Sequence, residues 1–224
     1  MIFIGCQPSN TVAHSVFAFS SFSKIKAKIN KKNTLPYADY DFIFDMLIPN
    51  DLYRHRVDLN FDIIQALGLK IDRGTELKCK MYIPESMRLQ CCPLNFGIDY
   101  VVIHPGGGGK QKLWPIINFS KIVNHFNGLN KIVVIVGGIE EWGLFLEIEA
   151  VQHQKMINLI GKLNLSDVFQ LLQQSQLIIA NDTGIMHLSV AAKTQIIALF
   201  GHTNPHHIGP YTHGATVMKK DNIH

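Results

Sequence analysis

Leu177-Ile178-Ile179-Ala180-Asn181-Asp182-Thr183-Gly184-Ile185-Met186-His187-Leu188 is the stretch that decides the fold. Four apolar residues of strand length run into a polar turn, and a helical pattern continues from Gly184 to Ala192. A strand apolar on every position, rather than on alternate ones, is what a parallel sheet covered by helices on both faces requires. Working outward, the same unit repeats. Tyr100–Ile103, Ile132–Val136, Ile157–Leu159 and Ile196–Phe200 read as further strands. Pro115–Phe126, Glu140–Gln152 and Leu165–Gln174 read as the helices between them, with Asn164 as a cap and Asp167 favouring the positive end of the third. Regular alternation of this kind predicts βαβ units, an α/β class and a Rossmann-like parallel sheet from about residue 96 to residue 224.

The first 95 residues are less regular. Ile2–Gly5 and the alternating Lys24–Ile29 read as strands, and Val12–Phe22 as a helix. Tyr53–Leu67 reads as an amphipathic helix through Val57, Phe61, Ile64 and Leu67, stopped by Gly68. Cys91–Asn95 reads as a linker, so the expected division is 1–95 and 96–224.

Composition narrows the class. Hydrophobic residues make up 47% of the 224, enough for a sizeable core, and mean hydropathy is +0.11. The longest apolar runs are strand-length, well under the ~20 residues that a spanning helix needs. Met1–Cys6 has no basic segment ahead of an apolar run, so the expected compartment is the cytoplasm. The four cysteines, at 6, 79, 91 and 92, have no metal-ligand spacing and read as reduced structural thiols. A net charge of +4 suits an anionic ligand or membrane surface and does not call for nucleic acid.

The chemistry is expected beyond the carboxyl ends of the strands, where ligands of open α/β sheets bind. His104-Pro105-Gly106-Gly107-Gly108-Gly109-Lys110 follows the first strand and Gly137-Gly138-Ile139-Glu140-Glu141 the second. Asn181–Gly184 follows the fourth, and Gly201-His202-Thr203-Asn204-Pro205 the fifth. Glycines let backbone N–H groups approach an oxyanion, and Lys110 or Lys112 adds positive charge. The run is not a nucleoside-triphosphatase loop, because Gln111 stands where the second glycine of that pattern belongs. A plain strand-to-helix turn would use such glycines too. A helix starting near Gly184 would offer free N–H groups to a diphosphate, with Asp182 either accepting from sugar hydroxyls or simply capping that helix. Asp39-Tyr40-Asp41 lacks further carboxylate ligands, so no metal is expected there. Lys24, Lys26, Lys28, Lys31 and Lys32 form a basic cluster suited to a solvated face or to anionic lipid.

In order, His104-Pro105-Gly106, Lys112-x-Trp114-Pro115, Gly137-Gly138-x-x-Glu141, Asn158–Lys162, Asn181-Asp182-Thr183-Gly184-x-Met186-His187-Leu188 and Leu199-Phe200-Gly201-x-Thr203-x-Pro205 closely resemble glycosyltransferase family 9, which contains ADP-heptose:lipopolysaccharide heptosyltransferases of Gram-negative bacteria. The departures are small: Gly107–Gly109 replace the family's frequent Ala-Ser, and Ile185 and His202 replace prolines. The resemblance implies a GT-B-like fold, with a C-terminal donor domain beside an incomplete N-terminal α/β acceptor domain. It implies inverting transfer of heptose from ADP-heptose to the lipopolysaccharide inner core, with no metal and no cofactor. Lys112 and Asp182 are carried over as catalytic. His104, Gly106, Gly107, Gly108, Lys112, Glu141, Asn181, Asp182, Thr183, Gly184 and His187 are carried over as donor-binding. The implied partners are an ADP-sugar, the lipid A/lipopolysaccharide core and, at the periphery, the cytoplasmic face of the inner membrane.

The family's first strand and its Asp-bearing loop, the source of the general base, have no match here. The chain is therefore expected to be cut short at its N-terminus and at His224, and to bind donor better than it transfers sugar. A catalytically silent nucleotide-sugar-binding fragment and a family 9 transferase for another sugar are the competing expectations. An epimerase would need an acid/base pair that the motifs do not supply.

Overall fold

The computed structural model describes residues 2–5, 25–29, 45–48, 53–70, 83, 99–149 and 155–220. The helix expected at 12–22, the linker at 91–95, Asp39–Asp41, the four cysteines, and Lys24, Lys31 and Lys32 lie outside the described residues. The chain divides into two compact units, Met1–Leu77 and Lys78–His224. That division comes ahead of the expected 95/96 boundary, and Ile83 packs against the core of the second unit.

In the first unit, strands β1 (Ile2–Gly5), β2 (Ile25–Ile29) and β3 (Met46–Ile48) pair in that order, all parallel. Helix α1 (Arg56–Ala66) buries Leu59 and Ile63 against Ala27, with Met46 and Leu67 alongside. The buried face is therefore turned from the expected Val57–Phe61–Ile64 stripe, whose members are half-buried. His55 caps the helix by accepting the Val57 N–H at Nδ1, 3.2 Å away. Gly68, at φ +79°, ends the element where few L-residues would follow it.

The second unit carries β4 (Tyr100–His104), α2 (Ile116–Gly128), β5 (Ile132–Ile135), α3 (Trp142–Glu149) and β6 (Met156–Asn158). It continues through α4 (Leu165–Gln174), β7 (Leu177–Asn181), α5 (Gly184–Ala192), β8 (Gln195–Phe200), α6 (Pro205–Ile208) and β9 (Ala215–Lys219). The strands form one parallel sheet in the order β6-β5-β4-β7-β8-β9. Alternate side chains divide between its two faces. Tyr100, Val102, Val134, Ile178, Ala180 and Ala198 join Phe169, Leu172 and Met186 in one cluster, which draws on α4 and α5. Ile103, Val133, Ile135, Ile179 and Leu199 join Phe119, Val123, Phe145 and Ile148 in the other, which draws on α2 and α3. Burial on both faces is why these strands are apolar throughout.

The helix expected at 140–152 begins later than read: Ile139–Glu141 form a 3-10 turn, and the α-helix begins at Trp142. Its cause is local, since Glu141 Oε2 bends back to accept the Gly138 N–H at 2.9 Å. Asn164 and Asp167 form a reciprocal capping box on α4, at 3.0 and 3.3 Å. At the other end, the Leu172 carbonyl accepts from the Ser175 backbone N–H and also from Ser175 Oγ and Thr194 Oγ1. β9 and α6 were not anticipated. Among the described residues no helix is long and apolar enough to cross a membrane.

Candidate functional site

The strand order reverses between β4 and β7, because connections leave β4 on one side of the sheet and lead away from β7 on the other. At such a switch point the loops at the carboxyl ends splay apart and leave a crevice. A cavity of about 1000 Å³ opens here. The β4 loop contributes His104, Gly107, Gly108, Gly109, Lys110 and Leu113; the β5 loop contributes Gly138, Glu140 and Glu141, and α3 contributes Leu144. Thr183, Gly184, Ile185, His187, Leu188 and Ala191 close it from α5, with Leu165 from α4. All of these belong to the second unit.

Asn181, fully buried at the end of β7, ties the β4 loop in place. Its Nδ2 donates to the carbonyls of Pro105 and Gly106 at 2.8 and 3.0 Å, and its Oδ1 accepts the Trp114 N–H at 3.3 Å. Three otherwise open backbone groups are satisfied by one amide, which explains an asparagine in a buried strand. Its neighbour Asp182 is 4% exposed. Asp182 Oδ2 receives Lys112 Nζ at 2.5 Å and Thr203 Oγ1 at 2.9 Å. This carboxylate does not cap α5: the N-cap is Thr183, which makes no side-chain capping bond. The first N–H groups of α5 therefore start without a side-chain acceptor, at the positive end of the helix, next to cavity-lining Gly184 and Ile185. Thr183 Oγ1 is buried with no hydrogen-bond partner among the described residues.

On the other wall, His104 Nδ1 lies 3.0 Å from the Val136 carbonyl. A carbonyl can only accept, so Nδ1 carries the proton. Glu141 Oε2 stands 3.8 Å from the same nitrogen. His202 Nδ1 reaches the Gln111 carbonyl at 3.3 Å and so braces the turn that carries Lys112.

His104, Gly107, Gly108, Glu141, Thr183, Gly184 and His187, singled out from sequence, thus lie on one cavity. Gly106, Lys112, Asn181 and Asp182 do not line it and are joined to it through bonds. Sequence reasoning left out Thr203 as a site residue, although its motif had been noted. It also left out the apolar wall of Leu113, Leu144, Leu165, Ile185, Leu188 and Ala191. Those residues carry no chemical signature in sequence; only their shared position reveals them. Among the described residues no group of three His, Cys, Asp or Glu side chains converges as a cation site.

Comparison with known proteins bears on what the cavity takes. The family model described as glycosyltransferase family 9 (heptosyltransferase) matches residues 32–224. The chain is 27% identical over 115 residues to lipooligosaccharide heptosyltransferase 2 of Haemophilus influenzae, covering 50% of this chain and 33% of that protein. It is 26% identical over 162 residues to lipopolysaccharide heptosyltransferase 3 of Escherichia coli, covering 70% and 47%. These curated relatives are matched over less than half of their own length. Among solved structures, the glycosyl transferase family 9 protein of Veillonella parvula superposes with a TM-score of 0.80 at 22% identity, over 98% of this chain and 62% of the other. The ADP-heptose lps heptosyltransferase II of Escherichia coli does so at 0.76 and 17% identity, over 97% and 67%. The fold is therefore α/β and GT-B-like.

Proposed function

The chain belongs to glycosyltransferase family 9, the heptosyltransferase family, and we propose that it serves the inverting, metal-independent transfer of heptose from ADP-heptose to the lipopolysaccharide inner core. The observation that carries this reading is the cavity at the switch point, where the start of α5, the glycine backbone of the β4 loop and the Glu141 carboxylate meet. A nucleoside diphosphate offers a matching distribution of chemistry. Its phosphates suit the helix start and Lys110, its ribose hydroxyls suit Glu141, and its base suits the apolar wall.

Departure of ADP from the sugar builds negative charge on the distal phosphate. Without a metal, fixed positive groups meet that charge: backbone N–H groups of the glycine loop, the α5 dipole and Lys112. The Lys112 ammonium is held ready by Asp182, which Thr203 holds in turn, so little reorganisation is needed as charge develops. In this arrangement Lys112 acts on the leaving group and Asp182 positions Lys112. His187 lines the cavity wall, which supports a role in holding the sugar or its diphosphate. The lipid A/lipopolysaccharide core is the acceptor, met at the cytoplasmic face of the inner membrane.

The test is calorimetry with ADP, with and without EDTA. Binding is expected to survive chelation; its loss would overturn the metal-free reading. Lys112→Ala is expected to weaken ADP binding by about 1.5–3 kcal/mol, as for a hydrogen bond to a charged group. An unchanged affinity would remove Lys112 from the phosphate site. Transfer to a heptose-deficient lipopolysaccharide tests the acceptor.

A further inference from the structure

The Glu141 carboxylate occupies space that side chains on two glycines would fill. A Cβ added to Gly106 would overlap Oε1 and Cδ of Glu141 and come within 2.7 Å of Oε2. A Cβ added to Gly137 would overlap Oε2 and press on Cδ at 3.3 Å. Gly106 follows β4 and Gly137 follows β5, two paired neighbours in the sheet, so the carboxylate lies in a slot between adjacent strand ends. The slot also fixes orientation. Oε2 accepts the Gly138 N–H at 2.9 Å and faces the proton-bearing Nδ1 of His104 at 3.8 Å. Oε1 has no hydrogen-bond partner among the described residues, and Glu141 lines the cavity.

We propose that Gly106 and Gly137 are positioning residues whose missing side chains hold the Glu141 carboxylate in place to read a neutral vicinal diol, the ribose of the nucleotide. Neither φ lies in the left-handed region, so the need for glycine here is steric clearance rather than backbone freedom. An ionised carboxylate is acceptor-only, with Oε1 open to hydroxyl donors. The same charge repels a phosphate in that position, so the site selects nucleotides whose ribose carries free hydroxyls. Because the obstructed atoms are the end of a flexible side chain, an alanine at 106 would displace Glu141 more readily than it would unfold the protein.

The experiment, which rests on the nucleotide reading above, compares ADP with 2′,3′-dideoxy-ADP by calorimetry on the whole chain. The proteins are the parent, Gly106→Ala, Glu141→Ala and the double variant, each with a thermal melt. The parent is expected to favour ADP by about tenfold or more, the loss typical of a hydrogen bond to a charged group. Gly106→Ala should keep its melting temperature, keep its dideoxy affinity and lose the preference, as should Glu141→Ala. In the double variant, Gly106→Ala should add nothing. Gly106→Ala retaining the parent's preference would overturn the proposal, as would a penalty from Gly106→Ala that persists when Glu141 is absent. If Gly106→Ala alone fails to fold, recovery of folding in the double variant supports the slot, and failure to recover overturns it. A parent that binds neither nucleotide overturns the nucleotide reading itself, whereas a parent that binds ADP without preferring it overturns only the role of the slot.

Discussion

Asp182 and Glu141 are both carboxylates at the ends of parallel strands in the same sheet, and their surroundings leave them with opposite tasks. Asp182 is closed: a lysine and a threonine converge on one oxygen, and the side chain is 4% exposed. Glu141 is open: a backbone N–H takes one oxygen, two glycines leave room for the rest, and the side chain, at 15% exposed, meets the cavity. A carboxylate whose charge is answered by the protein serves to hold its partner. A carboxylate that lines the cavity, with no lysine or arginine on it among the described residues, serves to hold a ligand. Residue type does not separate the two; the neighbours do.

The sharpest test removes the cation from the closed site. Lys112→Ala leaves Asp182 buried with only a hydroxyl for company, and a destabilisation of about 3 kcal/mol is expected in urea unfolding. Asp182→Ala should cost less, about 1–2 kcal/mol, because the Lys112 side chain is 26% exposed and its ammonium can turn to water. Lys112→Ala/Asp182→Ala should then be more stable than Lys112→Ala alone. The reverse order would mean that the pair is not closed in solution.

At the open site the effects divide the other way. Glu141→Ala should lower ADP affinity by about 1.5–3 kcal/mol while shifting stability by under about 1 kcal/mol, since it gives up one bond to a loop N–H. A large stability loss would erase the contrast between the two carboxylates. Thr203→Val tests the second donor of Asp182 and should cost about 1 kcal/mol in unfolding free energy. The smallest effect belongs to an exposed reference pair, Lys131 Nζ and Asp99 Oδ2, 2.6 Å apart. The hydrogen bond and charge of Lys131 hold the Asp99 carboxyl below its ordinary value. Its contribution is therefore present above the ordinary carboxylate range and fades as pH falls through the lowered value. Asp99→Asn should match the parent at high salt, where screening removes what little an exposed pair supplies.

Much of this molecule is legible in its residues. The apolar runs of β4, β5, β7 and β8 and the helices α4 and α5 follow from periodicity, and α4 also from the Asn164–Asp167 cap. The polar segments after those strands locate the crevice, because a buried apolar strand can present chemistry only at its ends. Periodicity could not foretell β9, where four of five residues are exposed and no apolar face marks a strand. Nor could it orient α1, since Val57, Leu59, Phe61, Ile63 and Ile64 offer two apolar stripes and only packing against Ala27 chose between them. Sequence alone determined that the Gly106, Gly137, Glu141, Lys112 and Asp182 motifs belong to one set of loops. Tertiary structure decided which groups meet: residues 70 positions apart pair as Lys112 and Asp182, and Glu141 settles against a glycine from another strand. Local propensity acts over a few residues along the chain, whereas a carboxylate's charge and hydrogen bonds are answered by whatever the sheet brings within about 3 Å of it.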